Sequence, residues 1–581
     1  MSRCFGRADL NLGTVLLVAI LLSGSAFGGT YYIDYGNGND GNNGTSETRP
    51  WKRQPFMNGF AGKYNHSPGD RFIFKGGVVW DSTNWRMTIN AGGSSPTYDY
   101  YGVDQTWFTG GSWSRPIFDG GSTPLPPNGH MVQFEAGWVK FDNIEMRNLT
   151  SATGGEFLAV DAQSNIFATN MYIHGWNQTT YPISSISRNS SGVVSVVTST
   201  PTNFNGTGTV NTCPQNCLVV YGVTGDTSVN TYCGNKCSQS SPSVGLFPIT
   251  SFIDASHFSF ATTNHTASGA TSGGTVMNSD GYIIVAGEGG SGQSNIVLDH
   301  CTISNTEYST TQNYGEVSYG WTDIQYCTIH DVGSVASGVR NVINSTFYDI
   351  SYPTSTYDGG QHTDGAYQIY SGTIANNVVY AFAANESFFY INPEADNSTC
   401  TPNTVYMYNN VQYDGGAAPI GNIVDINEYY GSSPCDTVYI DNNTLEGNGV
   451  VNSFRIVPRG TGGLTALFYR NNHVINSDGA QHISCSGLCG SFTDSNNVHQ
   501  TVTAAHGQGY VDGNNYAPTS CSGATVDVGA NGPSSYSRTD INGGNRPQSC
   551  VSSSWDVGAY EYDSSVGQKP SSPTNLAGKV H

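Results

Sequence analysis

The densest grouping of chemically able side chains is the phrase YDGGQHTDG, which sets Asp358, His362 and Asp364 between Gly-flanked turns. An imidazole with a carboxylate two residues on can act as a base and its orienter, or the pair as carboxylate and proton donor. Asp-Gly is also a turn sequence and His a polar loop residue, so the phrase admits a structural reading as well. A second group follows: Glu394 and Asp396 in INPEADN, Asp425 and Glu428 in IVDINEYY, Arg455 and Arg459 in FRIVPRG. Carboxylates from neighbouring segments can hold calcium or work as an acid/base pair on a glycoside. Asp358 and Asp396 are the candidate calcium ligands. Arg340, Arg455 and Arg459 suit the grip or deprotonation of an acidic sugar, and Tyr370 and Tyr390 the stacking of its rings. Other tyrosines of the same kind pack laterally.

What must position these residues is a repeat. Asn doublets recur at Asn376-Asn377, Asn409-Asn410, Asn442-Asn443, Asn471-Asn472 and Asn496-Asn497, the second members 25 to 33 residues apart. The same phrase without a doublet surrounds Asn143, Asn170, His300, Tyr326 and Ser345. Each unit alternates Val, Ile, Tyr and Phe with polar residues at period two, which describes strands. A unit of that size cannot bury its own apolar face and must stack on its neighbours as a solenoid. Asn suits the recurring bend because it tolerates left-handed backbone and can bond along the stack. Four residues beyond each aligned position stand Arg147, His174, Ser304, His330, Asp349, Ala381, Asp414, Gly447 and Asn476. That alignment puts His330 beside Asp349, a carboxylate able to orient an imidazole; a solvated outer face is the plainer account of the same residues.

On these motifs the chain resembles the right-handed parallel β-helix proteins of the pectate-lyase-like superfamily. The segment Thr30 to Trp51 with Pro68 to Trp80 is similar to their N-terminal cap, and DVGAYEY (Asp556 to Tyr562) to their closing segment. The resemblance implies an all-β, right-handed parallel β-helix. His362 and Asp364 fall in a phrase similar to the His-x-Asp-Gly of β-helix enzymes. It also resembles the Asn-Thr-Asp segment of polygalacturonases, with His362 where Asn stands and no Asp-Asp pair after it. What this implies is a polysaccharide lyase acting on a uronic-acid-containing glycan, with His362, Asp364, His330 and Arg340 as catalytic candidates and calcium or a cation neutralising the uronate. Two alternatives stay open: a glycoside hydrolase using Asp364 with Glu394 or Asp425, and a non-catalytic glycan-binding or adhesive solenoid.

Between the rungs, residues 182–277 change to a Ser, Thr and Val-rich pattern, expected to form an inserted small all-β module. The organisation expected is a signal peptide over 1–28, cap and first rungs over 29–181, the module, the main β-helix over 278–562, and a Pro/Ser tail over 563–581. Arg3 and Arg7 before the apolar run Val15 to Leu22 describe a secretory signal too short to span a membrane, so a secreted or cell-surface bacterial protein is expected, a monomer whose partner is an extracellular polysaccharide.

Only 11% of the 581 residues are charged and the formal net charge is −21, which argues against disorder and against a nucleic-acid partner. Of 13 cysteines, Cys4 lies in the signal. The remaining even number fits disulfides: Cys213 with Cys217, Cys233 with Cys237, Cys485 with Cys489, Cys521 with Cys550, and Cys400 with Cys435. The first four can alternatively form a zinc site. Cys301 and Cys327 occupy the same place in consecutive repeats, close enough for a bridge or for a reduced stack.

Overall fold

The computed structural model describes residues 28–564, outside 122–123, 126–129, 152–155, 161, 179, 209–215, 226–228, 230–246, 263–271, 279–281, 287–293, 306–315, 321, 352–364, 384–386, 393–401, 414–422, 429–433, 448–453, 459–462, 484, 533–534, 549 and 551. Short strands stack in parallel as a β-helix with three faces. One turn consists of Glu316–Tyr319, Thr322–Gln325 and Thr328–Val332. In the next, Ser334–Ile343 runs across the first two faces and Thr346–Ser351 forms the third. The first two faces share a 21-stranded sheet and the third is a 13-stranded one. Alternating side chains turn inward into one continuous core, including Phe141, Ile173, Ile303, Ile329, Phe347, Val405, Ile440 and Leu467.

The turn between the second and third faces is the sharpest, and it explains the doublets. The first Asn of each doublet adopts left-handed backbone, with φ between 55° and 57° at Asn376, Asn409, Asn442, Asn471 and Asn496. Asn tolerates this conformation better than other non-glycine residues. The second Asn points inward and bonds along the axis. Asn377, Asn410 and Asn443 each donate Nδ2 to the Oδ1 of the next rung's Asn at 2.9, 2.9 and 3.0 Å. Each also donates its backbone N–H to that same oxygen. The chain of bonds continues toward the N-terminus with other residue types: Ser345 N–H reaches Asn377 Oδ1 at 3.0 Å, Cys327 N–H reaches Ser345 Oγ at 3.1 Å, and Cys301 N–H reaches Cys327 Sγ at 3.4 Å. Cys301 and Cys327 are therefore the reduced stack, buried and unbridged. Cys485–Cys489 and Cys521–Cys550 are disulfides, and Cys435 is disulfide-bonded. Cys213, Cys233, Cys237 and Cys400 lie outside the described residues, and only the backbone of Cys217 is placed, in Cys217–Tyr221.

The segment after Thr501 returns along the outside of this turn. The first Asn residues hold it: Asn409 Nδ2 donates to Thr539 O at 2.7 Å and Asn471 Nδ2 to Ala530 O at 3.0 Å. A fully buried pair closes the contact, Arg546 Nη1 to Glu561 Oε1 at 2.7 Å, with Arg546 Nη2 also donating to Asn409 Oδ1 at 3.1 Å. At the other end, Asp40 in the Gly/Asn-rich cap accepts from the backbone N–H of Lys52, Arg53 and Ala61, which ties separate segments of the cap together.

Between the third-face strand Tyr172–Gln178 and the first-face strand Tyr282–Ala286 the chain makes a closed six-stranded barrel, from Thr180–Arg188 to Thr275–Asn278. It has its own core, with Val194, Val196, Leu218, Val220, Phe258 and Phe260. Stacking is undisturbed, because Leu158–Val160 pairs directly with the strand that follows the barrel.

Two expectations follow. Replacing Asn443 by Ala orphans the Asn410 donors inside a dry stack and should cost about 3 kcal/mol of unfolding free energy. Asn443→Ser, which restores the acceptor found naturally at Ser345, should recover part of that loss in a thermal melt. Burial, with the Glu561 charge second, raises the Asp556 carboxyl to about 7 against the backbone N–H groups of Asp527 and Tyr562 that favour its charged form. The folded chain thus keeps a proton that an unfolded chain releases in the ordinary carboxylate range. This contribution is complete below that range and is lost as pH rises through about 7. The melting temperature should fall between pH values either side of that point, less steeply in Asp556→Asn.

Candidate functional site

His362, Asp364, Asp358, Glu394, Asp396 and Arg459 lie outside the described residues. Tyr370, Glu428 and Arg455 are placed by backbone, in Ala366–Ala375, Val424–Glu428 and Phe454–Pro458. Strand register brings three of the candidates into one row on the first face: Tyr367 pairs with Tyr390, Tyr390 with Asp425, and Asp425 with Arg455. Successive members of such a row are about 4.8 Å apart. Asp425 is buried and its Oδ2 accepts from Ser387 Oγ at 2.9 Å.

His330 and Arg340 do not meet in this way. His330 belongs to the 13-stranded sheet, while Arg340, in the 21-stranded sheet, gives Nη2 to Asp323 Oδ2 at 3.1 Å. Asp323 also accepts from Asn341 Nδ2 at 3.1 Å, and its carboxyl is raised by burial against the pull of Arg340. Arg340 is thus committed to a structural ion pair.

The expected neighbour of His330 is corrected by one residue. The left-handed position of that rung is Asn344, not Ser345, as φ of 53° there matches 54° at Tyr326 and His300. His330 therefore pairs with Tyr348, and Asp349 stands opposite Asp331, bracketed by the pairs His330–Tyr348 and Val332–Ile350. A one-residue slip exchanges the two sides of a strand, which is why the phase matters.

The corrected register exposes a constellation that the column reading missed. Asp331 and Asp349 both adopt left-handed backbone, with φ of 53° and 51°, at a bend near the end of consecutive third-face strands. His330 Nδ1 donates to Asp331 Oδ2 at 2.6 Å. Asp349 is exposed, yet its carboxyl is raised, first by partial desolvation and then by the Asp331 charge, with His330 pulling the other way. A carboxyl raised beside a second carboxylate is an arrangement that can supply an acid and a charged partner at once. The signal in the sequence was the left-handed residue itself: aligning on Asn344 puts Asp331 and Asp349 in one column.

Beside them runs a ladder of parallel rings. His330 stacks on Tyr348 at 4.4 Å, Tyr348 on Tyr380 at 5.0 Å and Tyr380 on Tyr413 at 5.5 Å, with interplanar angles of 6°, 3° and 11°. Because the rings cover one another's faces, they offer a ligand edges and hydroxyls, not stacking surfaces. Burial and the neighbouring Tyr348 push the Tyr380 phenol up to about 12, so it stays a donor at neutral pH. Tyr413 is capped by the returning segment, donating Oη to Asn515 Oδ1 at 2.9 Å.

Stacked parallel rungs with inward ladders define an all-β parallel β-helix. No protein-family profile and no curated protein matches the chain. Among solved structures it is similar to a GH136 lacto-N-biosidase from Eubacterium ramulus, at 11% identity and a TM-score of 0.37 over 81% of this chain and 68% of that one. It is also similar to the Gp54 tailspike of Acinetobacter baumannii bacteriophage AP22, solved with A. baumannii capsular saccharide, at 12% identity and a TM-score of 0.15, over 67% of this chain and 64% of that one. At these values the fold assignment rests on the strand pairing of the chain itself.

Removing the Asp331 charge should lower the Asp349 pKa toward the ordinary carboxylate range. Carboxyl carbon NMR of Asp331→Asn, titrated beside the parent, reads that shift; an unmoved Asp349 would mean that the pair is not coupled.

Proposed function

We propose that the protein is an exported enzyme that hydrolyses a glycosidic bond in an extracellular polysaccharide at the bend carrying Asp331 and Asp349. The observation that carries this reading is the juxtaposed carboxylate pair, Asp349 opposite Asp331 on adjacent rungs, with the Asp349 carboxyl raised by desolvation and by the Asp331 charge. Asp349 would protonate the leaving glycosidic oxygen. Asp331, oriented by His330, would either activate the water that attacks the anomeric carbon or attack that carbon itself, the carboxylate separation deciding which. The Tyr348 and Tyr380 hydroxyls would line the sugar's path as donors. Export is supported by the basic residues and apolar run ahead of the cap.

A second reading, β-elimination on a uronate, draws on Arg455, which follows Asp425 in the first-face row, since an Arg can hold a sugar carboxylate. In that reaction His362 would remove the C5 proton, and calcium held through Asp358 and Asp396 would assist neutralisation. Among the described residues no group of three or more His, Cys, Asp and Glu is placed to hold a metal.

Incubation with neutral and uronic polysaccharides, with calcium or with chelator, should release reducing ends without the ultraviolet absorbance of an unsaturated uronate. Asp349→Asn should lower turnover by about 100-fold or more, the usual worth of a positioned acid. Activity should fall as pH rises and Asp349 loses its proton, and Asp331→Asn, which removes the base or nucleophile, should abolish turnover. Absorbance that His362→Ala abolishes would transfer the chemistry to elimination.

A further inference from the structure

The cap that closes the first rung carries an open cavity of about 710 Å³, within the range of small-ligand sites. Its apolar wall consists of Tyr31, Trp51 and Tyr64: Tyr31 stacks on Trp51 at 4.7 Å and meets Tyr64 edge-on at 5.6 Å. The polar ends of two of these rings are already bonded. Trp51 Nε1 donates to Asn42 O at 2.7 Å and Tyr64 Oη to Asp70 Oδ2 at 2.6 Å. Asp40 also lines the space, but three backbone N–H groups occupy its carboxylate oxygens.

Two cations complete the lining, Arg49 and Lys63. Both are exposed, and among the described residues no ion pair engages either. The nearby cations differ: Arg53 is drawn to Asp40 and Lys75 is paired with Asp34 at 2.8 Å. In a chain with 22 Lys and Arg against 43 Asp and Glu, two uncommitted cations facing one aromatic-walled cavity form a local positive site. An aromatic edge with an Arg suits a ring that is apolar on its face and carries a carboxylate.

We propose that this cap cavity binds a carboxylated sugar residue of an acidic oligosaccharide, apart from the bend at Asp331 and Asp349. Arg49 and Lys63 pair with the carboxylate, and the ring lies along the edges of Tyr31 and Tyr64, since Trp51 and Phe72 stack on Tyr31. Five rung steps separate the cap strand Arg71–Phe74 from Thr322–Gln325, roughly 24 Å along the axis. A polymer held in the cap would therefore be retained while another part of it lies at the bend.

The test is calorimetric titration of the full chain carrying Asp349→Asn, so that binding is measured without turnover and whether or not the bend is catalytic. The probes are oligogalacturonate, oligoglucuronate and oligomannuronate, the methyl-esterified oligogalacturonate, and inorganic phosphate. At least one oligouronate should bind, weaken as salt is added, and lose about tenfold or more in affinity in Arg49→Ala/Lys63→Ala. Both side chains are exposed, so the double variant should keep the parent melting temperature. Equal binding by that variant, equal binding of the ester, phosphate binding as tightly as every oligouronate, or no binding by any oligouronate would each overturn the proposal. Turnover lost in Asp349→Asn while cap binding persists leaves both assignments standing; cap binding without any turnover refutes the enzyme alone.

Discussion

The structure depends on one interaction repeated along the axis: a backbone N–H at the sharp turn donates to a side-chain acceptor on the next rung. The turn withdraws these donors from the sheets and buries them, and a buried donor without a partner is costly. Asn answers best, because its amide accepts from the rung below and donates to the rung above. Ser345 Oγ and Cys327 Sγ accept less strongly, and they occupy the same place nearer the N-terminus. Further back still the position is held by Ile144 and Met171, where apolar packing takes over.

The other member of each doublet has a different task. Its left-handed backbone turns its amide outward, where at Asn409, Asn442, Asn471 and Asn496 it fastens the returning C-terminal segment. One dipeptide thus builds the inner stack and the outer clasp. The buried Arg546 and Glu561 pair sits on that clasp, where removing either partner would leave an uncompensated charge. The segment therefore belongs to the fold and is not an appendage; it also covers the last ring of the tyrosine ladder, leaving His330, Tyr348 and Tyr380 at its accessible end.

The fold was legible because left-handed backbone restricts residue choice so sharply that Asn doublets reveal the period. His300 and Tyr326 hold the left-handed place without that signature and were aligned correctly, whereas Asn344 and Ser345 offered two phases and the rule misled there. Ser345 is the inward acceptor, so aligning on it moved the column by one residue and put Asp349, not Tyr348, beside His330. The paired cysteines show a further limit. Their equal phase was readable, but a spacing of about 4.8 Å suits a bridge and a reduced stack alike. Only the hydrogen bonds, with Cys327 Sγ accepting from the Cys301 backbone, distinguish them. For the site, the sequence offered chemical types without neighbours: Asp425 and Arg455 share a row because the strands register, whereas Arg340 is held by Asp323, a partner that no spacing rule names.

The barrel between the third and fourth stacked turns bears on how the chain assembles. Pairing of Leu158–Val160 with Tyr282–Ala286 is a contact of high sequence separation, and closing so long a flexible loop is slow and entropically unfavourable. The barrel brings its own ends together, since Thr180 pairs with Met277 and Pro182 with Thr275. If it forms first, the stretch left to close shrinks from about 120 residues to about 20, which lowers the closure cost by about 1.5 kcal/mol by the logarithmic dependence on loop length. A module that looks like an interruption of the solenoid would then act as an internal tether, letting the stack grow past it in a single cooperative step.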